Sequence, residues 1–171
     1  MLQALALDSN DPETLQGYGS MLLAAGRLKD SLRVYENLLR LEPLIPIYNT
    51  AAALAMLVNG QDANGIALLE TLPLNAGTSY NRSVELGMAY AAQGQYAKAA
   101  DTLLLIRGQV TPEAVQDAAK LLRAAPTKVK APQELPALQA DLNFVYAHVG
   151  ALDRVMEYPE REAAVGYFQD F

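Results

Sequence analysis

The chain has 171 residues, of which 51% are hydrophobic, a formal net charge of −6 and no cysteine. This hydrophobic content excludes a disordered chain, and the lack of cysteine excludes disulfides, thiolate metal sites and thiol nucleophiles. The acidic balance without a cluster of Lys and Arg argues against nucleic-acid binding, and no apolar run reaches the roughly 20 residues of a membrane span.

Three glycines divide the chain into predicted helix pairs. Gly26, Gly60 and Gly94 each follow a run of helix-forming residues, and a constant spacing of 34 residues separates them. A glycine just past a helix adopts the left-handed conformation without a Cβ penalty, so the chain reverses into an antiparallel helix. Because alanine and leucine dominate and β-branched residues are few, we expect an all-α chain with almost no strand.

The first predicted element, residues 1–10, is the remnant of a preceding repeat helix. One period before Tyr35 lies Met1, so this segment corresponds to the end of a second helix whose partner helix is missing. The apolar face of Leu2, Leu5 and Leu7 then lacks its cover. We therefore expect a fragment of a longer, bacterial-looking protein, in which the lack of a signal peptide is uninformative.

Three helix pairs follow, in residues 11–43, 45–77 and 79–109. Asp11 before Pro12 predicts the start of the first helix, since aspartate caps helices and proline suits their first position. Small residues recur at equivalent positions of the two helices in each pair, where we expect the closest approach because larger side chains would force the helices apart. These pairs are Gly19 with Ser31, Ala53 with Gly65, and Gly87 with Ala99.

The regular spacing ends near residue 110. Residues 111–124 predict an inserted helix that begins at Thr111, and a proline-containing loop follows it. Residues 134–171 predict an irregular fourth repeat and a short capping helix. The apolar face of this repeat ends at Gly150 and comprises Leu138, Leu142, Val145, Tyr146 and Val149. An alternative pairs the helix at 111–124 directly with a helix at 135–149.

A period of 34 residues built from two helices resembles the tetratricopeptide repeat (TPR). In the first unit the family's positions are filled by Leu15, Tyr18, Gly19, Leu22, Ser31, Tyr35 and Pro43, and in the third by Ser83, Leu86, Gly87, Tyr90 and Ala99. The second unit matches less well, and no unit has the family's tryptophan. The resemblance covers residues 1–109 and implies a right-handed superhelical solenoid of about three regular repeats in one domain, with an irregular C-terminal helical part.

The resemblance also implies a concave wall built from the first helix of each pair, which such scaffolds use for binding. The ligand-binding residues are then Gln16, Ser20, Leu23, Thr50, Leu54, Leu57, Val58, Asn81, Val84 and Met88, with Glu13, Ile47 and Ala92 beside them. None of these is basic, which argues against the C-terminal carboxylate ligand of co-chaperone members. The apolar middle needs a cover, which is a partner peptide or helix, another part of its own chain, or a second copy in a homodimer.

The sequence offers no catalytic constellation, cofactor motif or metal site. His148 is the only histidine, and we expect it at a helix surface or groove edge. The expected function is therefore a non-enzymatic protein-protein interaction scaffold. The alternative is a regulatory repeat module that acts within its own chain, as part of a bacterial multidomain signalling protein. In this interpretation the repeats resemble the repeat tails of nucleotide cyclases or winged-helix regulators. The sequence does not determine the compartment, although we favour the cytoplasm.

Overall fold

The structure is a computed structural model that describes residues 10–75, 77–128 and 131–157. These residues form α-helices and short 3-10 helices joined by turns, and none of them forms a strand. The predicted all-α class is therefore confirmed. The chain separates into two compact units, residues 1–85 and 86–171, with the division inside one helix.

The N-terminal unit consists of helices packed in consecutive pairs. They are α1 (Pro12–Ala24), α2 (Leu28–Leu41), α3 (Pro46–Val58), α4 (Asp62–Thr71) and the first part of α5 (Ser79–Ala92). Helix α1 packs on α2, α2 on α3 and α3 on α4, while α1 also touches α3. This packing is compatible with the predicted helix pairs, whose repeat bounds at residues 11–43 and 45–77 stay predictions. The predicted remnant at residues 1–10 lies almost entirely outside the described residues.

Proline and its preceding residue set the starts of α1 and α3. The Asp11 carboxylate accepts a hydrogen bond from the Thr14 backbone N–H at 2.7 Å, and Pro12 occupies the first position of α1. Hydrogen bonds from the Thr14 side chain and backbone lower the pKa of Asp11. Pro46 begins α3 without a side-chain cap, because Ile45 has no hydrogen-bonding group to offer.

The three spaced glycines close three helices in the same way. Their φ angles are +72°, +76° and +73° at Gly26, Gly60 and Gly94. In each turn the residue after the glycine donates its N–H to the carbonyl of a residue five positions earlier, as in Arg27 to Leu22 at 2.9 Å. This is the Schellman motif, which satisfies carbonyls that the helix end leaves unpaired. A fourth copy closes at Gly150, where Ala151 N–H donates to Tyr146 O at 2.9 Å.

Close approaches occur at the predicted small residues. Ser31 Oγ donates to Gly19 O at 2.8 Å, and a Cβ on Gly19 would lie 2.8 Å from the Tyr35 ring. A Cβ on Gly65 would lie 3.0 Å from Ala53 O, and one on Gly87 would lie 2.8 Å from Leu103 Cδ2. The packing therefore leaves no room for a larger residue without displacement of a neighbour.

The C-terminal unit contains the rest of α5, followed by α6 (Tyr96–Leu103) and α7 (Pro112–Ala124). Helices α6 and α7 pack together. Two 3-10 helices, η1 (Pro132–Glu134) and η2 (Ala140–Phe144), precede the short helices α8 (Val145–His148) and α9 (Leu152–Val155). Helix α7 also contacts η2 and α8. A helix therefore forms at Pro112–Ala124, while its interpretation as an insertion at 111–124 and the register of the repeat after residue 110 stay predictions.

The apolar face predicted to end at Gly150 is buried, but a continuous helix does not form it. The chain is non-helical over residues 135–139, and only η2 and α8 present the later members of the face. Pro136 lacks the N–H that a helix interior needs, and the Tyr146 hydroxyl donates to Pro136 O at 2.6 Å and accepts from Leu138 N–H at 2.8 Å. The predicted capping helix after residue 157 lies outside the described residues.

Across the described ranges, no helix is both long enough and apolar enough to cross a membrane.

Candidate functional site

The candidate residues of α1 form one stripe along the helix. Gln16, Ser20 and Leu23 follow each other at spacings of four and three residues, which places them on one side of a helix. Ser20 is exposed, and the other two are half-buried. The predicted stripe on α1 is thus accessible in part, and its polar members have defined neighbours on α2.

Tyr35 of α2 forms hydrogen bonds with this stripe of α1. Its ring is buried, and its hydroxyl lies 2.8 Å from Ser20 Oγ and donates to Gln16 O at 3.3 Å. Burial raises the pKa of Tyr35, the Ser20 hydrogen bond opposes this effect, and the negative charge of Glu85 adds to it. The phenol therefore stays protonated at neutral pH and remains a hydrogen-bond donor.

The candidate residues of α3 divide into exposed and buried members. Val58 is 41% exposed, Leu54 is half-buried, and the neighbouring Ile47 is 55% exposed. Thr50 is buried, and its hydroxyl donates to Ile47 O at 2.9 Å, so the hydroxyl is already paired with the backbone of its own helix. Leu57 is half-buried with its Cγ close to Gly65 of α4, which places this side chain at the contact between α3 and α4.

The three candidate residues of α5 do not share one environment. Asn81 is exposed and Val84 is buried, both in the N-terminal unit. Met88 is exposed and belongs to the C-terminal unit. Val84 therefore has almost no surface left for a ligand.

Exposed apolar residues also occur where sequence reasoning did not place them. Leu44 is 88% exposed in the connection between α2 and α3, and Leu41 and Ile45 beside it are also exposed. Met21 of α1 is a further exposed apolar residue. The sequence "LEPLIPI" indicates this exposure, because Pro43 and Pro46 prevent a continuous helix and leave the intervening apolar residues in a turn.

We define the α1–α3 face as the candidate residues of these helices that keep accessible surface, together with Ile47. They are Gln16, Ser20, Leu23, Ile47, Leu54 and Val58. None of them is ionisable, so this face offers apolar contacts and neutral hydrogen-bonding groups. Nowhere in the described ranges do three His, Asp or Glu side chains gather so that they could hold a metal ion.

His148 lies in an aromatic cluster of the C-terminal unit. Its ring centroid is 5.7 Å from that of Tyr96 and 6.1 Å from that of Phe144, both in edge-to-face arrangements. The side chain is half-buried, and burial lowers the pKa of His148. The imidazole is therefore neutral at pH 7, and its ring contacts are those of a packed aromatic residue.

Comparison with protein-family models, with curated proteins and with solved structures finds no match to this chain.

Proposed function

We propose that the chain is a non-enzymatic protein-interaction module of TPR-like helix pairs, which binds a peptide or helix of a partner protein on the α1–α3 face. Two observations support the repeat architecture. The Schellman turns at Gly26, Gly60 and Gly94 share their hydrogen bonds and their 34-residue spacing, and each helix pair has a close contact at a small residue. Within the N-terminal unit, we propose that the pairs stack as in a right-handed superhelix.

The contact between α1 and α3 carries the proposal. Both helices pack on α2 and also touch each other. We infer that α2 covers one side of the two, so that another side stays available for a ligand. Side chains at spacings of four, seven or eleven residues lie on one side of a helix. The stripe of Ile47, Leu54 and Val58 then borders the stripe of α1, and together they form a continuous surface for a ligand.

The chemistry of this surface fits a peptide with apolar anchors. Full burial of a Val, Leu or Ile side chain contributes about 1.5–3 kcal/mol, and Ile47 and Val58 have roughly half of their surface left to bury. Gln16 and Ser20 add neutral hydrogen-bonding groups at the edge. Because Tyr35 holds the α1 backbone and Ser20 in place, little side-chain ordering is needed on binding, which favours affinity.

A peptide selection with site mapping tests the proposal. Short peptides displayed on phage are selected against the immobilised chain, and hydrogen exchange of the chain with a selected synthetic peptide maps the contact. We expect protection in α1 and α3. The double substitution Ile47→Glu with Val58→Glu should weaken binding at least about tenfold, because it removes two apolar anchors and introduces two charges that the complex would desolvate.

The control is Leu152→Glu, which places one such negative charge at an exposed leucine of α9 in the other unit. This variant should bind the peptide as the original chain does, and all variants should keep their helical circular dichroism because the substituted residues are exposed. Protection outside α1 and α3, or equal affinity of the double variant, would overturn the proposal.

A further inference from the structure

The connection between α6 and α7 forms a pocket that the proposed function does not use. Its volume is about 320 Å³, and it lies within the C-terminal unit. Residues of the connection and of the first turns of α7 line it, among them Leu104, Ile106, Arg107, Val110, Pro112 and Val115. Ligand pockets span roughly 300–1,000 Å³, so this pocket suits a small organic molecule.

Contacts within the unit fix the shape of this pocket. Arg107 Nη1 donates to Leu104 O at 2.9 Å and to Ile106 O at 2.8 Å, which holds the guanidinium across the end of α6. The backbone then turns through Gly108 and Gln109, whose φ angles are +74° and +63°. Thr111 N–H donates to Gln139 Oε1 at 3.1 Å, which ties the far end of the connection to a neighbouring segment. These hydrogen bonds tie the connection to the end of α6 and to Gln139.

The pocket combines apolar walls with positive charge. Ile106 and Val115 are buried, Leu104 and Val110 are half-buried, and the other lining residues, Arg107 among them, are exposed. Among the lining residues in the described part of the chain, only Arg107 is charged. The N-terminus of α7, a 13-residue helix, opens at Pro112 beside it and adds a partial positive charge. A ligand with an apolar body and a negative group would satisfy both features.

We propose that this pocket binds a small monocarboxylic acid with a compact aromatic or short aliphatic body. The body fills the space between Ile106 and Val115, and the carboxylate lies toward Arg107 and the start of α7. Arginine suits this role because its guanidinium keeps its positive charge at any pH at which a carboxylate is ionised. A monoanion is favoured over a dianion, since Glu113 places a negative charge in the first turn of α7.

A titration followed by ¹H–¹⁵N NMR tests this proposal with 3-phenylpropanoate as the probe. We expect saturable shift changes at the amides of residues 104–116. The neutral analogue 3-phenylpropanol should bind about tenfold more weakly, because it lacks the charge-assisted contact, and acetate should give no saturable change because it lacks the apolar body.

Substitutions of Arg107 test the position of the carboxylate. Arg107→Gln should weaken 3-phenylpropanoate binding about tenfold, while Arg107→Lys, which keeps the charge, should stay within a few-fold. Arg33→Gln is the matched control, since it removes an exposed arginine of the N-terminal unit that pairs with Asp30, and it should leave binding unchanged.

Three results would overturn the proposal: no saturable change at residues 104–116, equal affinity for the alcohol, or unchanged affinity of Arg107→Gln. If the Lys variant loses binding as fully as the Gln variant, the charge is not what the pocket recognises, and the proposal fails as well.

Discussion

Two buried serines of the N-terminal unit should respond in opposite directions to the same substitution. Ser31 of α2 and Ser83 of α5 are both 0% exposed. Ser31 Oγ donates to Gly19 O at 2.8 Å across the α1–α2 contact. Ser83 Oγ, in contrast, has no hydrogen-bond partner among the described residues. We predict that Ser31→Ala destabilises the fold and that Ser83→Ala stabilises it.

The difference between the two variants follows from the hydrogen bonds. A typical intramolecular hydrogen bond contributes about 1 kcal/mol net, and a buried hydroxyl without a partner costs about 1–3 kcal/mol. The higher helix propensity of alanine applies to both substitutions and therefore cancels in the comparison. The free energies of unfolding of the two variants should thus differ by about 2 kcal/mol or more, with Ser83→Ala the more stable.

Urea unfolding followed by far-UV circular dichroism measures this difference. An unchanged slope with denaturant shows that the two variants unfold over the same exposed surface, so that their midpoints compare stability directly. If both variants shift the midpoint in the same direction by similar amounts, the hydrogen-bond pattern of the two serines does not govern their contribution, and the reasoning is refuted.

Two further predictions concern a helix contact and the histidine. Gly65→Ala should lower the free energy of unfolding by about 1 kcal/mol, because its Cβ would lie 2.8 Å from Leu57 Cγ and 3.0 Å from Ala53 O. Overpacking costs about 1–3 kcal/mol, which exceeds the gain of about 1 kcal/mol in helix propensity. A variant that is more stable in urea would contradict this prediction. Because burial lowers the pKa of His148, the unfolded chain binds a proton more readily than the folded one, so stability that is complete above about pH 7 should fall as pH drops below about 6.5. His148→Gln should remove this component, and an identical pH dependence of the two proteins between about pH 8 and 5.5 would show that the histidine does not contribute.

The helix ends could be predicted because their signals are local. Asp11 and Pro12 set the start of α1 through groups within a few residues of each other, and Gly26 closes the helix because its own backbone takes a positive φ. The contact between Ala53 and Gly65 was likewise predictable, since a helix pair of fixed period brings equivalent positions together.

The candidate site could be predicted only in part. Helix periodicity places Thr50 near Ile47 and Leu54, but successive residues point about 100° apart, so a small rotation of α3 decides which of them is covered. The packing buries Thr50 and Val84 and places Leu57 at Gly65, while it leaves Ile47 exposed. These outcomes depend on which helices surround a residue.

The sequence by itself determined the helical class, the start of α1, the helix ends at Gly26, Gly60 and Gly94, and the small residues Gly19, Gly65 and Gly87 that another helix approaches closely. Each of these follows from backbone conformation, caps or side-chain size within one or two helices. Only the tertiary structure decided that residues 135–139 leave the helix, because the Tyr146 hydroxyl pairs with Pro136 O and Leu138 N–H. The pocket at Arg107 also depends on the tertiary structure, because it needs the end of α6, the start of α7 and the connection between them in one place.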